Sequence, residues 1–152
     1  MSYATVNTRA QVGLQAPLVS VEVHLSNGLP SFNIVGLPEL AVRESRERVR
    51  AALVNSQFKF PARRITVNLA PAEPPKQGGR FDLAIAIGLL LASEQLTTQL
   101  LSKYEFIGEL SLSGQLRRSH GILPAAHHCW QCNRNLSLTH HRDMPVSTSL
   151  MQ

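Results

Sequence analysis

The loop Lys76-Gln77-Gly78-Gly79-Arg80 combines two cations with two glycines directly before an apolar stretch that opens at Asp82. Glycine N–H groups, a helix N-terminus and paired cations can together hold an anion such as a phosphate. The same residues also suit a tight turn that needs glycine for backbone freedom, with Lys76 and Arg80 in water. Arg43, Arg46 and Arg50 are spaced three and four apart, so one helix face carries them, and Arg63-Arg64 and Arg117-Arg118 add basic pairs. A DNA backbone met by such a face would bind with an affinity that falls steeply with salt. Glu39, Glu44 and Glu47 interleave with the arginines, however, which fits a solvated, salt-bridged face. No aromatic residues interleave to stack bases.

Cys129-x-x-Cys132, with His127, His128, His140 and His141 around it, has the ligand types for Zn²⁺. The usual His-x₃₋₅-His spacing is missing, because His140 and His141 are adjacent. No metal site is expected; Cys129, Cys132, His128 and His140 are the weak candidates. A redox role is weaker still, since no βαβ pattern precedes Cys129.

Periodicity supplies the elements that must position these groups. Val19, Val21, Val23 and Leu25 alternate with Ser20, Glu22 and His24, which predicts a strand buried on one face. Asn27-Gly28-Leu29-Pro30 reads as a turn, and Phe32 to Val35 as a second strand forming a hairpin with the first. Tyr3 to Thr8 is a further strand. Pro38 opens a helix over residues 39–55, with Ala41, Val42, Val49, Ala52 and Leu53 as its apolar stripe. In it Glu39 with Arg43 and Glu44 with Arg48 sit four apart in the favourable order. Residues 65–69 alternate again as a strand, 71–80 form a Pro- and Gly-rich loop, and 82–93 form a largely buried helix. Residues 106–112 read as a strand that turns at Gly114 and returns over 115–118. The expected order is β-β-β-α-β-α-β-β, an α+β sheet with helices packed on one face.

The chain has 152 residues, 43 % of them apolar and 16 % charged, so its composition is not that of a disordered protein. Its longest near-apolar run, Leu83 to Ala92, is far short of the roughly 20 residues a bilayer span needs. From the polar N-terminus no secretory signal is expected, and two cysteines make no disulfide framework. A cytoplasmic location is expected, with no membrane partner. The net charge of +5 permits contact with nucleic acid without demanding it. Periodicity ends near residue 126. Residues 1–126 are therefore read as the domain, and 127–152 as a divergent tail, frame-shifted or disordered.

Four segments together resemble the N-terminal domain of the ComM/YifB family, the magnesium-chelatase-like AAA+ ATPases of bacteria. They are Gly36-Leu37-Pro38 with residues 46–52, Ile65 to Ala72, Pro75 to Leu83, and Gly108 to Gly114. The resemblance implies a fold like the Lon protease domain, within the ribosomal protein S5 domain 2-like class. It also implies a link to natural transformation, in which hexameric full-length members drive branch migration. ATP and magnesium are expected only in those full-length members, because no Gly here is followed by Lys and the P-loop pattern is absent. DNA and further copies of the chain are the expected partners.

Lon-type proteases use a Ser nucleophile just after a Pro-Lys-x-Gly segment, and a desolvated Lys base. Here Arg80 falls where that Ser should be, and Leu123, after His120-Gly121-Ile122, takes the Lys position. The resemblance thus implies a non-catalytic domain, cut short before the AAA+ module. The alternatives are a stand-alone DNA-binding module and a divergent Lon-like peptidase.

Overall fold

In a computed structural model, residues 2–97, 101–132 and 135–137 are described. Three strands open the chain: β1 (Tyr3–Arg9), β2 (Leu18–Ser26) and β3 (Ser31–Val35). Two helices follow, α1 (Leu40–Arg43) and α2 (Ser45–Asn55), then β4 (Arg64–Ala70) and α3 (Asp82–Ala92). The last elements are β5 (Tyr104–Phe106), β6 (Glu109–Leu110), β7 (Leu116–Arg117), α4 (Ile122–Gln131) and β8 (Asn135–Ser137). The result is a mixed α/β architecture. A six-stranded sheet runs in the order β3-β4-β2-β1-β5-β8, beside a small β6-β7 ladder.

The alternation in β2 and β4 translates directly into packing. Val21 faces Leu69, Val23 faces Val67 and Leu25 faces Ile65 in an antiparallel ladder. All six are buried. Helix α3 lies on this apolar face, and Gly88 lets it approach closely: a Cβ there would come within 2.6 Å of Val23 Cγ2. Every residue of α3 except Leu91 is buried. This explains a helix that is apolar all round.

Five expectations need correction. The β2–β3 hairpin does not form. Full ladders with β1 and β4 occupy both edges of β2, so β3 runs parallel to β4, with Phe32 opposite Ile65. The helix expected over 39–55 is divided at Glu44 into α1 and α2. The strand expected over 106–112 is broken at Ile107-Gly108. There Gly108 leaves the sheet to donate to Arg80 O (3.0 Å) and accept from Leu83 N (3.1 Å). Finally, helices lie on both faces. Phe106 faces the α3 side, so alternation puts Glu105 on the other side, where Cys129 of α4 meets it. Helix α4 also runs straight across the expected boundary at residue 126, and β8 pairs with β5 beyond it. Among the described residues, no helix is long and apolar enough to cross a membrane.

A buried ion pair ties this second face together. Arg9 Nε and Nη2 donate to the two oxygens of Glu105 at 2.6 and 2.9 Å, while Nη1 donates to Ala16 O at 2.9 Å. Arg9 is 4 % exposed and Glu105 0 %. Removing one partner strands the other charge, which typically costs about 3–5 kcal/mol. Arg9→Met should therefore lower unfolding stability in urea by that order, and Arg9→Met with Glu105→Leu should recover much of it. A double variant no more stable than Arg9→Met contradicts this account.

Candidate functional site

The loop between β4 and α3 contains the residues that the sequence marks for anion binding. The structure divides them into two groups. Lys76 is fully buried, and its Nζ donates to Pro71 O and, at 2.9 Å, to Ala72 O. Its backbone clips the loop to the turn before α1, with Lys76 N to Leu37 O at 3.1 Å and Glu39 N to Lys76 O at 3.0 Å. Both sequence readings of Lys76, anion ligand and solvated cation, are thus corrected: its ammonium faces its own loop. The physical reason is the run of prolines. Pro71, Pro74 and Pro75 have no N–H to offer, so loop carbonyls need a donor from elsewhere, and a long Lys stem can bring one in. Burial lowers the Lys76 pKa from its ordinary value.

Arg80 sits on the other side of the loop, only 7 % exposed. Its Nη1 donates to His120 O at 3.2 Å, while Nε and Nη2 find no acceptor among the described residues. Burial lowers its pKa from the usual guanidinium value. Together with Gly78, Gly79, Glu109, Arg118 and Ser119, it lines a half-open cavity of about 350 Å³. Gly78 takes φ +73°, a left-handed turn that only glycine adopts without strain, and so swings the chain from Lys76 to the cavity wall. The hydroxyl of Ser119 is buried at this cavity without a partner among the described residues.

The segment holding Arg80 is anchored by a group that sequence reasoning passed over. Asp82 is 0 % exposed and accepts from Ser45 Oγ, from Arg48 Nε (2.7 Å) and Nη2 (3.2 Å), and from Leu110 N (3.1 Å). Burial pushes its pKa up, against the downward pull of Arg48 and Ser45. Arg48, expected to pair with Glu44, lies 3.9 Å from it but bonds Asp82 far more closely. The available signal was a lone carboxylate at the head of an otherwise apolar helix.

Arg43, Arg46 and Arg50 are all exposed. Arg46 caps Arg43 O (3.0 Å) and reaches Phe32 O (3.3 Å), and Arg50 stacks on the Phe60 ring at 4.3 Å. None of the three lines the Arg80 cavity. Of the metal candidates, Cys129 is buried, and burial and then Glu105 push its thiol up to about 11. A protonated thiol is a poor ligand. Cys132 is exposed, with its sulfur 3.6 Å from Arg9 Nη2, and His128 Nδ1 lies 2.8 Å from Pro124 O. His140 lies outside the described residues. Among the described residues, no three His, Cys, Asp or Glu side chains converge as a metal site would require.

A family model described as subunit ChlI of Mg-chelatase matches residues 21–140. The competence protein ComM of Haemophilus influenzae is 63 % identical over 125 residues, which are 82 % of this chain and 25 % of that protein. The uncharacterized protein YifB of Salmonella typhimurium is 54 % identical over 136 residues, covering 90 % and 27 %. The uncharacterized protein YifB of Escherichia coli is 56 % identical over 126 residues, covering 83 % and 25 %. The chain thus spans about a quarter of the length of these curated relatives.

Burial of Lys76 has a pH signature. A folded-state pKa below 10.5 means that, in the window between the two, the unfolded chain binds more protons, so stability rises with pH there. The stability of the wild type relative to Lys76→Met should therefore climb as pH approaches 10.5, in urea titrations. A difference that stays flat contradicts a buried, charged Lys76.

Proposed function

Because the chain belongs to the family of subunit ChlI of Mg-chelatase, we propose that it is the non-catalytic, Lon-like N-terminal domain of a ComM/YifB-type AAA+ protein. Its fold is read as ribosomal protein S5 domain 2-like. Its work is DNA processing in natural transformation and recombination, carried out in the cytoplasm by a homo-hexamer of full-length subunits. Nucleotide and magnesium are assigned to the AAA+ module of such subunits rather than to these residues.

The observation that carries this reading is the chemistry at Arg80. It stands at the position of a Lon-type nucleophile, and a guanidinium, here donating through Nη1 to His120 O, cannot act as one. Acyl transfer needs an activated nucleophile beside a base. The Ser119 hydroxyl at the same cavity has no partner among the described residues, and Lys76 points its ammonium at Pro71 and Ala72 instead. A domain without that pair is left with assembly, or the coupling of a motor to DNA, as its work. The exposed arginines at 43, 46 and 50 keep a second reading in view, a DNA-binding module in its own right.

Two assays separate these readings. The purified chain should show no turnover of a fluorogenic peptide or casein. Removal of the matching domain from a full-length relative should lower branch migration of a synthetic four-way junction at least tenfold, by loss of a coupled element rather than of nucleotide chemistry. Peptide turnover by the chain, or undiminished branch migration without the domain, overturns the proposal. Tight binding of DNA by the isolated chain, falling steeply with salt, favours the second reading.

A further inference from the structure

The Arg80 cavity contains more unmet hydrogen-bonding capacity than a structural turn requires. Arg80 is more than nine-tenths buried, yet two of its guanidinium nitrogens have no acceptor among the described residues. A guanidinium remains charged at any physiological pH, so burying it without partners is costly unless something supplies them. Ser119 leaves a second buried donor unmatched at the same place. Arg118, exposed at the rim, adds a second cation. Gly78 and Gly79 keep the loop wall free of side chains.

The one carboxylate at the cavity does not fill this role. Glu109 packs against the loop backbone, where a Cβ on Gly79 would meet its Oε2 at 2.7 Å. Its charge is felt at Arg48, whereas Arg80 makes no ion pair with it. The site therefore retains an excess of positive charge, and the unmatched Arg80 nitrogens lie enclosed beside an opening of about 350 Å³.

We propose that this cavity binds a phosphate group, with Arg80 as the forked donor at its floor, Ser119 adding a hydroxyl and Arg118 closing the rim. The planar fork of Arg suits the paired oxygens of an oxyanion, and a hydroxyl beside it suits a third. The volume of about 350 Å³ is larger than a free phosphate needs, so the phosphate is carried on a small molecule such as a nucleotide or on the end of a nucleic-acid strand. Lys76, the obvious cation of the loop, takes no part. The proposal goes beyond the role assigned above and does not depend on it, because it concerns this chain alone.

The test is thermal unfolding and calorimetric titration of the full chain with inorganic phosphate, using chloride at equal ionic strength as control. Phosphate should bind saturably and raise the melting temperature, as a ligand that binds only the folded state must. Arg80→Gln should weaken binding at least tenfold. Arg118→Gln, at an exposed position where folding is not at stake, should weaken it several-fold. Thymidine monophosphate and a pair of oligonucleotides with 5′-phosphate or 5′-hydroxyl ends separate the sources. A preference for the phosphorylated strand over its hydroxyl twin assigns a strand end, and binding of phosphate and the nucleotide alone assigns a small ligand; either supports the site. No saturable phosphate effect, or one unchanged in Arg118→Gln and in a folded Arg80→Gln, overturns it.

Discussion

The carboxylate of Asp82 is the constraint on which the rest of this structure rests. It heads an apolar helix with no exposure to solvent and is held by Ser45, by Arg48 and by the Leu110 amide. These partners come from α2 and from β6, so one charged group joins two helices and the small ladder. A buried carboxylate without such partners would be driven to protonate or to pull its helix toward water. With them, α3 can lie flat on β1 and β2, where Gly88 permits close contact with Val23. The same anchor fixes the two residues before it, and this places Arg80 on His120 O and the cavity beside it.

A second buried charge pair does the equivalent work on the opposite face. Arg9 and Glu105 join β1, β5 and the loop at Ala16, and Cys129 brings α4 down onto the carboxylate. The two pairs differ in consequence. The Arg9 pair satisfies its guanidinium with acceptors on three sides, whereas Arg80 is buried with nitrogens left unmatched. That contrast sets Arg80 apart from the structural arginine at position 9.

How far this was legible in the sequence depends on the range of the interactions. The strands of Val19 to Leu25 and Ile65 to Leu69 are plain, because period-two alternation is a local signal that burial of one face enforces. The apolar helix from Asp82 is plain for the same reason. The hairpin expected between β2 and β3 fails because β4, from beyond two helices, takes the edge of β2. No local pattern encodes that competition. The burial of Lys76 is hidden in the sequence because its partners are carbonyls left bare by prolines, a need that only the folded loop makes visible. Arg9 and Glu105 lie 96 residues apart, and neither is unusual in its own surroundings. The glycine loop and Arg80 stand out in the sequence, but the partition of its two cations belongs to the tertiary structure.

Asp82 and Arg48 act as one unit, and a double-mutant cycle measures this directly. Stability should be read by urea unfolding at neutral pH for the wild type, Asp82→Asn, Arg48→Met and the double variant. Residues in one hydrogen-bonded network couple by about 0.5–3 kcal/mol, and the Nε–Oδ2 contact of 2.7 Å puts this pair within that range. Single-variant losses that add to the double-variant loss within about 0.5 kcal/mol would mean that the two side chains are independent, and would contradict the account.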